Sequence, residues 1–139
     1  MDALRETAVA LADTCGCAFA SLVVEIAGPD GSHVLRYFFY QPQDGVVVAI
    51  RLATAAGATL PAISTHVHAA AWDEREIEDL FGIAFEGHPF LGDYVLHDAV
   101  WPEHVKPMQH EFDPRQRVAE PGMGTNWRPR RILHQEGSI

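Results

Sequence analysis

Three apolar runs of similar length, set apart by two segments of strong turn chemistry, restrict the first half of this chain more than any other feature. Residues 17–26 are rich in Val, Leu and Phe, residues 33–40 contain Val34-Leu35-Arg36-Tyr37-Phe38-Phe39, and residues 46–53 begin Val46-Val47-Val48. Between them lie Gly28-Pro29-Asp30-Gly31-Ser32 and Gln41-Pro42-Gln43-Asp44-Gly45. Pro presets a negative φ, Asp bonds its own backbone two residues on, and Gly takes the φ that other residues avoid. Short β-rich runs joined this way predict an antiparallel meander. A fourth strand is expected within residues 59–67, around Leu60-Pro61-Ala62-Ile63, with Pro61 confining it to an edge or a strand end.

Two helices flank these strands. Residues 2–12 put Leu4, Ala8, Leu11 and Ala12 on one stripe, and Gly16 ends that pattern. Residues 69–81 form the stronger prediction: an Ala-rich entry, acids in the first turns where they suit the helix dipole, an apolar stripe of Ile77, Leu80 and Phe81, and Gly82 as the stop. Beyond Gly82 the texture changes. Pro89, Pro102, Pro107, Pro114, Pro121 and Pro129 interrupt a stretch without sustained periodicity, yet Phe85, Phe90, Tyr94, Trp101, Phe112 and Trp127 need surfaces to bury against. The expected fold class is therefore α+β: a small antiparallel sheet packed against two helices, with an extended Pro-rich C-terminal arm. Residues 1–139 form one domain, in which 1–90 are a compact α+β core and 91–139 the arm.

Charge narrows the partners. The formal net charge is −9, which opposes nucleic-acid binding, because phosphate contacts need clustered Lys and Arg. From Asp73 to Asp98 there are eight acids and a single base, Arg75, whereas six of the ten basic residues lie from Lys106 onward. An acidic middle and a basic tail fit either self-pairing or two charged contact surfaces. No apolar run approaches the roughly 20 residues that cross a bilayer. The start, Met1-Asp2-Ala3-Leu4-Arg5-Glu6, has no basic region followed by a hydrophobic core, so no secretory signal is read there. The chain reads as cytoplasmic, reaching a membrane only through partners. Cys15 and Cys17 are expected as two buried free thiols, since i,i+2 spacing suits a disulfide poorly and two ligands are too few for zinc or an iron–sulfur cluster.

Chemistry-bearing motifs are scarce. There is no GxGxxG, GxxxxGK[ST] or GxSxG. His66-Val67-His68 would put two imidazoles on one face of a strand, and His88, His97 or His104 could add a third ligand. A metal-dependent enzyme built on His66 and His68 is thus a remote alternative, without an HExxH or CxxC to support it. The helix sequence Trp72-Asp73-Glu74-Arg75-Glu76-Ile77-Glu78-Asp79 is more telling. Arg75 and Asp79 are i,i+4 and can pair, but Glu76 repels Asp79 and Glu74 repels Glu78. So much negative charge around one Arg fits a helix that a basic partner surface neutralises.

The segment Glu74-Arg75-Glu76-x-x-Asp79-Leu80-Phe81-Gly82-Ile83-x-Phe85-x-Gly87-His88-Pro89 closely resembles the signature of the 30-kilodalton subunit family of NADH–quinone oxidoreductase, respiratory complex I. The same domain occurs in membrane-bound [NiFe] hydrogenases, including formate hydrogenlyase-type complexes. The resemblance implies an accessory subunit with no catalytic residue, metal or cofactor of its own. Its partners would be the large quinone-site or [NiFe]-type subunit and other hydrophilic-arm subunits, at the inner face of the cell membrane. It also implies that Glu74, Arg75, Glu76 and Asp79 form or orient the partner contact, that Gly82 permits the turn, and that His88-Pro89 directs the arm. The chain departs from the family at Gly92-Asp93, where basic residues are usual. It departs again at Pro107-Met108-Gln109-His110-Glu111-Phe112, where Pro-Leu-Arg-Lys-Asp-Phe is usual. Trp101-Pro102-Glu103 and the short length resemble the hydrogenase branch, so both branches stay open at this point.

Overall fold

The computed structural model describes residues 2–91, 106–109 and 112–113. Strands β1 (Ala18–Ile26), β2 (His33–Gln41) and β3 (Val46–Thr54) form the expected antiparallel meander in the order β1-β2-β3. The turn chemistry is local, as the sequence requires. Asp30 Oδ1 accepts the Ser32 N–H at 3.1 Å and the Ser32 hydroxyl at 2.8 Å, while Gly31 sits at φ +73°. At the next turn, Gln41 Oε1 accepts the Asp44 N–H at 2.8 Å. Alternation along β2 sends Leu35, Tyr37 and Phe39 into the core, where Leu22 of β1 meets Tyr37. Phe19 packs edge-to-face on Phe39 with ring centroids 5.6 Å apart, a favoured aromatic geometry. A bulge between Phe19 and Ser21 interrupts the β1–β2 register.

Helix α1 (Asp2–Val9) is shorter than its periodicity predicts. It widens into a π turn (Ala10–Thr14) closed by the Cys15 N–H on Ala10 O, and the Cys17 N–H then bonds Leu11 O. Leu4 and Ala8 are buried, and Leu11 and Ala12 pack against the same core. Cys15 falls at the end of this turn rather than on β1 and is exposed, so only Cys17 is a buried free thiol. This corrects the expectation for the pair.

The fourth strand is also shorter than expected. β4 is Thr59–Pro61, with Pro61 at its end, and the chain turns at once: the His66 and Val67 N–H groups both reach Ile63 O. His66 and His68 therefore do not share a strand face. Thr65 Oγ1 bonds His66 Nδ1, and His68 Nδ1 bonds Ser64 O. Among the described residues no three His, Cys, Asp or Glu side chains gather in a way that could hold a metal. His97 and His104 lie outside the described residues.

A 3₁₀ turn (His68–Ala70) leads into α2 (Ala71–Phe81), which starts two residues later than the sequence predicts. Its N-cap is Ala70, which has no side-chain acceptor for the free N–H groups of the first turn. After α2 comes β5 (Ala84–Glu86), which no sequence pattern predicts. It pairs in parallel with β4, Leu60 facing Phe85. A parallel pair needs a crossover, and α2 supplies it.

Much of the arm lies outside the described residues, including Tyr94, Trp101 and Trp127, but one part packs back on the domain. The Met108 N–H donates to Leu80 O at 3.1 Å, the Gln109 side-chain amide donates to Phe81 O at 3.0 Å, and Lys106 Nζ lies 3.6 Å from Glu78 Oε1. The first two satisfy carbonyls at the end of α2 that no helical partner can reach. Gly82, at φ +74°, makes this possible, since a Cβ there would stand 3.0 Å from Gln109 Nε2 and 3.1 Å from Lys106 Cγ. Gly82→Ala should therefore cost at least the usual penalty of about 1–2 kcal/mol for a non-Gly residue in the left-handed region. Chemical denaturation of the purified chain measures it.

Candidate functional site

Helix α2 carries the acidic motif, and packing sorts its charges between inside and outside. Ile77 turns inward onto the core. Glu74, one turn earlier on the same side, goes with it and is fully buried. Its Oε1 accepts the Ile63 N–H at 2.7 Å, just where the chain leaves β4. Its Oε2 faces His88 Nε2 at 3.8 Å, and both side chains have no solvent exposure. Desolvation pushes the Glu74 carboxyl above the usual range, opposed in part by Ser64, the Ile63 N–H and His88. Burial, with the charge of Glu74 second, also pushes the Tyr37 hydroxyl well up.

His88 is held from two sides. Its Nε2 donates to Ala71 O at 3.0 Å, and its Nδ1 accepts the Phe90 N–H at 3.0 Å. Those partners assign the ring proton to Nε2, the pattern of a neutral imidazole. The imidazole thus joins the first residue of α2 to the chain after β5. Asp73 makes a comparable link to the sheet: its Oδ2 accepts the Leu22 N–H at 2.7 Å, beside the bulge in β1. Arg5 adds another, donating from Nε to Ala62 O at 3.1 Å.

On the opposite side of α2 Trp72 and Glu76 are exposed, while Arg75 is half-buried with its Nε shielded from solvent. Trp72, Arg75 and Glu76 are spaced i, i+3, i+4 and so share one side of the helix. Trp72 is 57 % exposed, Glu76 is exposed, and the Arg75 guanidinium stands 5.3 Å from the Trp72 ring centroid, within cation–π range. Asp79 is buried, while Glu78 is half-buried beside Lys106. Asp73 and Glu74 are thus committed to backbone partners of the same chain. The outward stripe is an aromatic–cation pair with a carboxylate alongside.

This motif and the strands around it match the model of the respiratory-chain NADH dehydrogenase 30 Kd subunit family over residues 1–118. The chain belongs to that family. Among curated proteins, the C subunit of the NADH-quinone oxidoreductase of Rhodobacter capsulatus is 35 % identical over 85 residues, covering 58 % of this chain and 43 % of the relative. The corresponding C subunit of Sinorhizobium medicae is 32 % identical over 87 residues, covering 58 % and 42 %. The NADH-quinone oxidoreductase C/D subunit of Aeromonas hydrophila is 38 % identical over 65 residues, covering 47 % of this chain and 10 % of that protein. The chain spans less than half the length of these relatives.

In this member of the 30 Kd subunit family, the structure brings Glu74 and His88 together and ties Gly82 to residues 106–109, while Arg75 and Glu76 stand on the other side of α2. Pro89 is exposed just after His88. Sequence reasoning missed Asp73 as the partner of Leu22, along with Tyr37 and Ile63 as the surroundings of Glu74. A run of acids reads as one partner-facing charge cluster, and nothing local marks which of them turns inward.

A pH test follows from Glu74. Its folded-state pKa is raised, so between the ordinary carboxylate value and that raised value the folded chain holds a proton that the unfolded chain has lost. The protonated carboxyl's contribution is complete below the unfolded pKa and is lost as pH rises through the folded one. Glu74→Gln keeps an acceptor for the Ile63 N–H and removes this titration. The stability difference should shift in favour of Gln as pH rises above the ordinary carboxylate value, as read by denaturation at a series of pH values. A pH-independent difference would contradict the assignment.

Proposed function

We propose that this chain is an accessory subunit of a membrane-associated NADH–quinone oxidoreductase of the complex I type. It contributes to that assembly's NADH dehydrogenase activity by holding neighbouring subunits together and carries no redox centre of its own. The observation that carries this reading is the two-sided helix α2. Its inward acids brace the chain's own backbone, and its outward Trp72–Arg75–Glu76 stripe offers an amphipathic contact of the kind enriched at protein interfaces. Family membership and the names of the relatives support the same assembly, and those names favour the NADH–quinone branch over the hydrogenase branch.

In this reading Arg75 and Glu76 form the contact, and Glu74 and Asp79 orient the helix that presents them. Gly82 allows the chain to leave α2, and His88-Pro89 sets the direction in which the arm departs from the 1–90 core. The partners are the large quinone-site subunit and other subunits of the hydrophilic arm, on the cytoplasmic face. Among the described residues no helix is long and apolar enough to cross a membrane, so membrane contact would run through those partners.

Tagged chain recovered from its native membranes should bring the large subunit with it, and recovery of the chain alone would overturn the proposal. Glu76→Lys should leave the stability of the purified chain within about 0.5 kcal/mol, as expected for an exposed site, while lowering recovery of the large subunit severalfold. Equal recovery by wild type and variant would remove Glu76 from the contact.

A further inference from the structure

The face of the three-stranded sheet turned away from the core forms a second surface, separate from α2. Antiparallel register puts Tyr40 opposite Val47, Phe38 opposite Ala49, and Arg36 between Val23 and Arg51, all on the side away from buried Leu35, Tyr37 and Phe39. Val47 is 60 % exposed, Val23 45 % and Tyr40 43 %. Single exposed apolar residues need no explanation. These occupy paired or next-but-one positions on adjacent strands, where side chains stand about 5–8 Å apart, so they form one continuous strip.

The strip ends in an unbalanced charge. Arg36 and Arg51 face each other across β2 and β3, and like charges at such a position destabilise a sheet. Glu25 pairs with Arg36 at 2.6 Å. Arg51 is exposed and has no carboxylate within ion-pair range among the described residues. In a chain with a net charge of −9, this face is an apolar strip bordered by an uncompensated cation.

We propose that the outer sheet face binds a second subunit of the same assembly, one that lays an apolar ridge on Val23, Phe38, Tyr40 and Val47 and extends a carboxylate to Arg51. The inference rests on the subunit role proposed above, and its occupant is acidic where the partner of α2 is basic. Charge disfavours a second copy of this chain on the same patch. A two-fold contact presents the same surface from both sides and would bring two arginine pairs together, which costs affinity.

The experiment uses the tagged chain expressed in its native host. Val47→p-benzoylphenylalanine should cross-link on irradiation to another subunit of the oxidoreductase. Arg51→Glu should lower the amount of complex recovered about tenfold, equivalent to about 1.4 kcal/mol of binding, while Arg51→Lys recovers as wild type. Because Arg51→Glu relieves the repulsion with Arg36, the purified variant should melt at or above the wild-type temperature. Thus a loss of complex would not reflect unfolding. If wild type recovers the complex but the probe is silent or joins two copies of this chain, the sheet-face proposal is overturned. Recovery of Arg51→Glu at the wild-type level overturns it as well. If wild type itself recovers no oxidoreductase subunit, the subunit reading fails and this surface falls with it.

Discussion

A carboxyl buried in the core fixes the relation between the parts of this chain. Glu74 reaches from α2 to the Ile63 N–H, where the chain has just left β4, and lies against the His88 imidazole beyond β5. Burying an acid costs free energy unless it is hydrogen-bonded or neutralised, and its raised pKa is the form that cost takes. What the burial secures is geometric. The end of β4, the first residue of α2 and the turn after β5 are held around one carboxyl and one imidazole, with Asp73 attaching the same helix to β1. The short parallel β4–β5 pair, only three residues a side, would be a weak unit without this tie.

That arrangement gives α2 a fixed orientation, with Trp72 and Glu76 exposed on its far side. An interface on a rigid element loses less freedom on binding than one on a loop, so the internal bracing would also favour the docking proposed for the other side of α2. The acids of the motif are accordingly unequal. Glu74 serves the fold directly, Glu76 stands outward, and Glu78 meets Lys106 from the arm. The sheet's outer face, where Arg51 stands beside the Arg36–Glu25 pair, gives the molecule a second side of different chemistry.

Where structure follows from neighbours in sequence, the reading from residues succeeded. The β1–β2–β3 meander was legible because Asp30, Gly31 and Gln41 make their turn contacts within a few residues. Gly82 was legible as the end of α2 because a left-handed cap favours glycine. The α+β class followed from such signals, whereas the 30 Kd subunit resemblance rested on the motif residues 74–89 themselves. The failures have a different physical origin. Residues 62–67 read as a strand because their apolar pattern is local, yet the Ile63 N–H goes to a side chain eleven residues away. β5 is too short to show a period. Cys15 left the core because α1 widened into a π turn, which no composition rule marks. The inward turn of Glu74 was illegible because its environment comes from Tyr37, Ile63, Ser64 and His88, which only the fold assembles.

In the proposed role, α2 braces the chain with one side and joins it to its complex with the other. A density map of the assembled oxidoreductase tests this most directly. It should show Trp72, Arg75 and Glu76 buried against a neighbouring subunit, a basic side chain facing Glu76, and the Glu74–His88 contact unchanged from the isolated chain. An outward stripe left in solvent, with the neighbours attached elsewhere, would contradict the account.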